Sequence, residues 1–237
     1  MQNSNDAMRT IGRCTQHGTR RLGRRLTDTG LALVICSVAA LYLAAPARAA
    51  PEAVAAAVVN TDPGRLIDSA AQAMLKELDA HRAEYRRDPA KVNALVDKIL
   101  LPNFDTEYSA RLVLGRHWNT ATAEQRRRFV DSFYHSLLAN YGTALLEFTG
   151  DRLKVLPYKG DAAATNATVR TQVRKSDGGT VAVNYSLRHT DKGWMAWDVI
   201  IEGISYVKSF RDDFSGEIEQ KGVDALISRL EKQSGLK

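Results

Sequence analysis

The fold of this chain is decided by a stretch in which apolar and polar residues alternate, TVAVNYSLRHTDKGWMAWDVIIEG (residues 180–203). A period of two is typical of a β-strand whose two faces meet different environments. Asp191-Lys192-Gly193 interrupts the alternation with residues that are favoured in hairpin turns. The stretch therefore predicts two antiparallel strands, over about 180–189 and 194–202.

The residues before this stretch extend the same pattern. Alternation over about 151–157 and 164–174 predicts two further strands, and Ser176-Asp177-Gly178-Gly179 has the composition of a hairpin turn. Because the turns between the last strands are short, we expect an antiparallel meander of about four strands. The strand at 194–202 is apolar at both alternating sets of positions, so it should be buried on both faces.

Signals for helices precede the sheet region. Asp62-Pro63 and Asp88-Pro89 each combine an N-cap residue with a first-turn proline, and Thr122 with Gln125 has the spacing of a capping box. Apolar residues follow each signal at intervals of three and four, as they do on the buried face of a helix. These patterns predict several amphipathic helices before the sheet.

The order of these patterns predicts the fold class. We expect helices within 62–149, the sheet within 151–204 and further helices within 206–233. Segregated helices and strands are typical of α+β proteins and argue against alternating βαβ units. The expected architecture is a twisted antiparallel sheet with N-terminal and C-terminal helices packed on it.

The first 49 residues have the composition of an export signal. Six arginines from Arg9 to Arg25 precede an apolar stretch over 31–45, and Ala47-Arg48-Ala49 has the small-residue pattern of a cleavage site. We expect cleavage after Ala49, export from the cytoplasm and a single domain over 50–237. A membrane anchor is the alternative, but an apolar stretch of about 15 residues is shorter than the roughly 20 that span a bilayer.

Loss of this segment changes what the composition implies. The segment contains both cysteines, seven arginines and two acidic residues, which leaves 26 basic and 25 acidic residues in the rest of the chain. The high basic content therefore belongs to targeting, and no basic cluster with interleaved aromatics indicates nucleic acid. The remainder has no thiol chemistry. It also contains no HExxH, no glycine-rich phosphate loop and no Gly-x-Ser-x-Gly, so we expect no metal and no cofactor.

Several ordered stretches of the chain resemble the MlaC family. They are LVLG (112–115), ATAEQR (121–126) with Phe129 and Phe133, YG (141–142), WMAWDVIIEGIS (194–205) and KGVD (221–224) with Leu226. The resemblance covers nearly the whole chain after the signal segment. MlaC proteins are periplasmic phospholipid-binding proteins of the outer-membrane lipid asymmetry system, also called toluene-tolerance proteins.

The resemblance implies a carrier that moves a phospholipid between two membranes. Its expected partners are an outer-membrane complex of a lipoprotein with a porin, and an inner-membrane ABC transporter with an MCE-domain subunit. A branch of the same family is associated with hopanoids, so a sterol-like cargo remains open. In such a carrier, the acyl chains enter a pocket between the sheet and its helices.

We expect the lipid to contact the buried face of the sheet and the longest helix that covers it. Which face of the 194–202 strand meets the lipid is left open by the sequence. The predicted contact residues are Phe129, Phe133, Leu137, Tyr141, Val181, Val183, Tyr185, Leu187, Trp197, Val199, Ile201 and Ile204.

Two other classes of protein remain possible at this stage. A cone-shaped sheet with a pocket also occurs in isomerases and dehydratases of the nuclear-transport-factor-like type, which use a carboxylate or histidine as a base, often with a tyrosine. The candidates for such an enzyme are Asp198, Glu202, His189 and Tyr185. A structural adaptor would instead have a solidly filled interior.

Overall fold

The computed structural model describes residues 58–147, 149, 152–161, 163–175 and 178–235. The predicted signal segment and its cleavage position lie outside these residues. Within the described ranges, no helix is both long enough and apolar enough to cross a membrane.

Seven α-helices occur among the described residues, five before the sheet and two after it. Short 3₁₀ turns at Leu101–Asn103 and Gly142–Glu147 follow the second and fifth helices. The helices are α1 (Pro63–Arg87), α2 (Pro89–Ile99), α3 (Thr106–Leu114), α4 (His117–Thr120), α5 (Ala123–Tyr141), α6 (Tyr206–Lys221) and α7 (Val223–Ser234).

The predicted helix starts are confirmed, although the Asp88 side chain makes no capping hydrogen bond to α2. The Asp62 carboxylate accepts a hydrogen bond from the Arg65 backbone N–H at 2.8 Å and caps α1. Thr122 and Gln125 make both hydrogen bonds of a capping box at the start of α5. The short helix α4 was not predicted, since its four residues offer too short a window for helical periodicity.

Five strands form one antiparallel sheet in the order β1-β2-β3-β4-β5, which confirms the predicted meander. The number of strands is a correction, because about four were expected. The strands are β1 (Leu153–Val155), β2 (Asn166–Arg174), β3 (Thr180–Thr190), β4 (Gly193–Ile201) and β5 (Ile204–Ser205).

The fifth strand depends on a two-residue turn. Glu202 and Gly203 have φ values of 50° and 83°, and positive φ at both positions is what a type I′ hairpin requires. The chain therefore reverses at once, and Ile204 pairs with Ile201. The first strand is shorter than the predicted 151–157, since Pro157 has no N–H to continue the ladder.

A β-bulge at Trp197 changes which residues of β4 share a face. Ser186 pairs with Asp198 and Leu187 pairs with Ala196, so Trp197 has no partner on β3. An extra residue of this kind shifts the alternation by one position. Ala196 and Val199 consequently lie on the same face of the sheet, although the plain alternation of the sequence separates them.

The two faces of the sheet meet different helices. The inner face packs against α1, where Leu66, Val169 and Leu187 are fully buried in one cluster. The opposite face of β4 packs against α3 and α6, and these two helices join α5 and α7 in a separate helical core. A further cluster connects α1 with α2.

Candidate functional site

A cavity of about 340 Å³ lies between α1 and the inner face of the sheet. Ligand pockets in proteins have volumes of about 300 Å³ or more, so the cavity is large enough for a site. The lining residues are Leu66, Ile67, Ala70, Ala71, Met74, Leu75, Leu78, Leu100, Asn103, Phe104, Tyr141, Ala144, Leu145, Leu153, Thr171, Val173, Val183, Tyr185, Ala196, Val199 and Ile201.

Helix α1 forms the largest part of the helical wall. Its lining residues recur at the three- and four-residue spacing of one helix face. Two of them, Ala70 and Ala71, have side chains of a single carbon, so the middle of this helix face leaves space between the helix and the sheet. Sequence analysis did not predict this wall, although the stripe of Leu66, Met74 and Leu78 was a visible signal.

The sheet supplies the opposite wall through cross-strand pairs. Val183 pairs with Ile201, and Tyr185 pairs with Val199, so both pairs point to the same face of β3 and β4. The bulge at Trp197 adds Ala196 to this face. The side of β4 that meets the cavity, which the sequence left open, is therefore the side of Ala196, Val199 and Ile201.

The connection between α2 and α3 closes one part of the cavity. Phe104 forms a parallel β-bridge with Ala196, and the Asp105 backbone N–H donates to the Ala196 carbonyl at 2.6 Å. These contacts hold the Phe104 side chain against the wall. Nothing in the sequence pattern indicated this contact, because the two segments are about 90 residues apart.

Few polar groups line the cavity, and two of them are satisfied by the protein itself. The Thr171 hydroxyl donates to the Val183 carbonyl at 2.7 Å, and the Asn103 amide donates to the Ile99 carbonyl at 2.8 Å. Burial raises the pKa of Tyr185 above its usual value, so this phenol stays neutral at physiological pH. Among the lining residues of the described chain there is no carboxylate, imidazole, ammonium or guanidinium group.

Five of the twelve predicted contact residues line the cavity. They are Tyr141, Val183, Tyr185, Val199 and Ile201. The other seven lie elsewhere, and they fall into two groups with different physical reasons.

The first group belongs to α5. Phe129 is fully buried in the helical core, where its ring stacks on Phe133 at 5.4 Å and meets Phe214 edge to face at 6.2 Å. Leu137 packs against the same core. The apolar face of α5 is turned toward α6 and α7, so only its last residue, Tyr141, reaches the cavity.

The second group belongs to the sheet. Leu187 fills the packed end of the inner face beside Leu66 and Val169, and Val181 lies in a smaller cluster with Val173. Trp197 is the bulged residue, and its ring meets Tyr108 of α3 edge to face at 5.6 Å. Ile204 is half-buried directly after the hairpin turn.

Three of the four residues considered for catalysis have structural partners away from the cavity. The Asp198 carboxylate accepts from the Ser205 hydroxyl at 2.6 Å and from the Val207 backbone N–H at 3.0 Å, so it fixes the start of α6. Glu202 accepts from a backbone N–H of β3. His189 is exposed and packs against the ring of Trp194.

Tyr185 is the remaining candidate, and it does line the cavity. No group of three or more His, Cys, Asp or Glu residues in the described part of the chain could hold a metal ion. The described lining residues therefore present mainly hydrocarbon surface with two phenol groups, and they include no acid–base pair.

Residues 68–232 match the MlaC protein family. The chain belongs to the MlaC family. This membership confirms the resemblance found in the sequence, and the match includes every helix and strand that lines the cavity apart from the first five residues of α1.

Two curated MlaC-family relatives match most of the chain. A toluene tolerance protein, ttg2D, from Pseudomonas putida is 30% identical over 168 residues, which cover 70% of this chain and 78% of that protein. The intermembrane phospholipid transport system binding protein MlaC of Haemophilus influenzae is 23% identical over 181 residues, which cover 75% of this chain and 85% of that protein.

A solved structure shares the fold of this MlaC-family chain. The phospholipid-binding protein of Ralstonia solanacearum, determined in complex with a phospholipid, superposes with a TM-score of 0.68 at 24% sequence identity. The match covers 75% of this chain and 98% of that one. The predicted α+β fold class is thereby confirmed.

Proposed function

We propose that this protein is a periplasmic phospholipid carrier whose cavity shelters acyl chains. The observation that carries the proposal is the cavity between α1 and the sheet, whose described lining residues are almost all aliphatic or aromatic and include no charged group. An uncharged lining of this kind favours hydrocarbon over the charged part of a ligand, because burial of an unpaired charge against it would be unfavourable.

The energetics of lipid transfer require such a lining. A phospholipid with about 30 methylenes exposes apolar surface worth roughly 0.8 kcal/mol for each methylene, so its unassisted passage through water costs on the order of 20 kcal/mol. Hydrocarbon contact with the walls of the cavity offsets this cost. We infer that Tyr141, Val183, Tyr185, Val199 and Ile201 contact the acyl chains.

The same walls leave a route for the lipid to enter. Ala71, Leu75, Leu145 and Leu153 line the cavity and are only half-buried. A lipid whose tails pass between these residues would keep its head group in water. The absence of a charged group among the lining residues of the described chain agrees with a head group that stays outside.

The names of the relatives support phospholipid as the cargo. The Haemophilus protein is a binding protein of an intermembrane phospholipid transport system, and the Ralstonia protein was determined with a phospholipid. We infer that this chain carries lipid between an outer-membrane complex of a lipoprotein with a porin and an inner-membrane ABC transporter with an MCE-domain subunit. That role would maintain outer-membrane lipid asymmetry.

Periplasmic location is part of the same proposal. The arginine-rich and apolar N-terminal segment would direct export, and signal peptidase would remove residues 1–49. N-terminal sequencing of the protein from a periplasmic extract should then begin at Ala50. A protein that keeps its first 49 residues and sediments with membranes would contradict this part of the proposal.

The carrier function is tested by a substitution that fills the cavity. Ala71 lines the cavity, whereas Lys76 lies exposed on the same helix. We expect wild-type protein and Lys76→Trp to copurify with phospholipid, as measured by native mass spectrometry and lipid extraction. Ala71→Trp should lose most of that lipid at an unchanged melting temperature.

The same measurement separates the other candidates. Copurified hopanoid in place of phospholipid would identify the hopanoid-associated branch of the family. Lipid-free protein from the native host would favour an adaptor, and turnover of a bound molecule would favour an enzyme. The lack of a carboxylate or imidazole among the described lining residues is the observation that disfavours the enzyme.

A further inference from the structure

The outer face of the sheet, on the side away from the cavity, is open to solvent at its first two strands. Lys154 lies on this face of β1, directly opposite Gln172 of β2. Helices α3 and α6 pack on the same side of the sheet at β4, but this cover does not reach β2. The outward-facing residues of β2 are all exposed, namely Asn166, Thr168, Arg170, Gln172 and Arg174.

The charges on this part of the sheet have one sign. Strands β1, β2 and β3 contain no aspartate or glutamate. Arg170 and Arg174 flank Gln172, so each lies diagonally across from Lys154, with a separation of about 7–8 Å between the residues. These three exposed cations, Lys154, Arg170 and Arg174, form what we call the basic face.

Protection of the sheet edge accounts for only one of these cations. A lysine on an edge strand such as β1 discourages the addition of a further strand, but Arg170 and Arg174 belong to β2, which is paired on both sides. Like charges on neighbouring strands repel and lower stability. Lys154 and Arg170 form no ion pair with another residue of the described ranges that would offset this repulsion. The cations on β2 therefore call for a role outside the fold.

We propose that the basic face binds the surface of an anionic lipid bilayer. Anionic head groups attract lysine and arginine side chains that lie close to the membrane. Protein interfaces usually have apolar and aromatic side chains at their centre, and the exposed outer positions of β2 carry none. The chemistry of the basic face therefore fits charged head groups better than it fits an acidic protein.

The position of the basic face agrees with the proposed carrier function, which this inference extends. Leu153 is half-buried and lines the cavity, and Lys154 is the next residue, on the opposite side of the same strand. A bilayer bound at the basic face would therefore lie beside the edge of the sheet where lipid enters. Attraction between exposed charges is screened by salt and reversible, as a carrier that must leave the membrane requires.

Vesicle sedimentation with the purified protein tests the inference. The vesicles contain phosphatidylcholine alone, or phosphatidylcholine and phosphatidylglycerol in equal parts. We expect wild type to bind only the anionic vesicles. The binding should weaken as the NaCl concentration rises from about 0.1 M to about 1 M, because the screening length falls from about 10 Å to about 3 Å.

Three double variants separate the basic face from the overall charge of the protein. Lys154→Gln with Arg170→Gln should weaken binding to anionic vesicles by roughly fivefold for each cation removed. Arg86→Gln with Lys98→Gln is the matched control, because it removes the same charge from exposed positions on α1 and α2 and should bind like wild type. Lys154→Arg with Arg170→Lys keeps both charges and should also bind like wild type.

Two results would overturn the inference. One is equal binding by the Lys154→Gln, Arg170→Gln variant and the Arg86→Gln, Lys98→Gln control. The other is a wild type that does not bind anionic vesicles, which would favour an acidic protein as the occupant of the basic face.

Lipid extraction of the same proteins reports on the carrier function separately. Neither Lys154 nor Arg170 lines the cavity, so the variant that lacks both cations should keep the copurified lipid and the melting temperature of wild type. Wild type without copurified lipid would contradict the carrier function and leave the vesicle result unaffected.

Discussion

Asp105 and Arg188 join the helical half of the molecule to the sheet. The Arg188 Nε donates to Asp105 Oδ2 at 2.7 Å, while Asp105 Oδ1 accepts from the Tyr108 backbone N–H at 3.1 Å and caps α3. The Arg188 guanidinium also lies 4.3 Å from the centre of the Tyr108 ring. One carboxylate thus fixes both a helix start and the chain segment that carries Phe104 into the cavity wall.

The first prediction concerns this carboxylate. Asp105→Ala should lower the free energy of unfolding by about 2 kcal/mol, since it removes an N-cap and one partner of a charge-assisted hydrogen bond. Urea denaturation of Asp105→Ala, Arg188→Ala and the double variant forms a thermodynamic cycle. We expect a coupling energy of at least about 0.5 kcal/mol, and strictly additive effects would show that the pair is not coupled.

The second prediction separates the packed core from the cavity. Phe129→Ala should cost about 3–5 kcal/mol of stability, because the ring is fully buried in the helical core, and it should leave the lipid content of the folded protein unchanged. Ile201→Phe adds volume at the cavity wall and should show the opposite behaviour, with little loss of stability and reduced lipid. Denaturation curves and lipid extraction of both variants make the comparison.

If Phe129→Ala reduced lipid content at temperatures well below its melting point, α5 would contact the lipid as the sequence suggested. If Ile201→Phe retained lipid like wild type, the cavity wall described here would not be the lipid contact.

The third prediction tests the β-bulge at Trp197 by deletion of that residue. Trp197 has no partner on β3, so its deletion leaves Ala196 opposite Leu187 and Asp198 opposite Ser186. The deletion variant should therefore fold, with a stability within about 1 kcal/mol of Trp197→Ala. Deletion of Ile200 is the control, because it moves Val199 to the opposite face.

Circular dichroism and thermal melts of these three variants provide the measurement. Equal loss of folded protein in the two deletion variants would argue against the bulge.

The fourth prediction is loss of stability in alkali. Burial raises the pKa of Tyr206 to about 12, against about 10 in an unfolded chain. Between these values the unfolded state releases the proton and the folded state keeps it, so the contribution of Tyr206 to stability is fully present below pH 10 and is lost as the pH rises toward 12. Tyr206→Phe should show a shallower decline in urea denaturation between pH 10 and 12. The same slope in both proteins would contradict the burial of this phenol.

The contact residues predicted on the sheet and those predicted on α5 had different outcomes. Val183 and Tyr185 lie together on the inner face, as the alternation along β3 predicted, whereas the face of β4 that carries Val199 and Ile201 was left open by the sequence. Phe129 was equally apolar, and its helix was correctly predicted. Apolar periodicity identifies a buried face but carries no information about which element buries it, so the assignment of α5 to the cavity was not determined by the sequence.

The helical wall of the cavity, formed by α1, was also predicted only in part. The stripe of Leu66, Met74 and Leu78 predicts a buried helix face, and that prediction is confirmed. Only the folded chain shows that this face stands opposite the sheet and that Ala70 and Ala71 leave space there. In a sequence, an alanine at an apolar position predicts ordinary packing. In the structure, the small side chains of Ala70 and Ala71 contribute to a void.

The sequence by itself determined the longer helices, four of the five strands, their order and the antiparallel meander, because hydrogen bonding and side-chain period act over a few residues. The tertiary structure decided the bulge at Trp197, the partner of each helix and the position of the cavity. These features arise from contacts between residues that are distant in the chain, such as Phe104 with Ala196. A cavity in particular is a property of how far apart two walls are held, and no single segment specifies that distance.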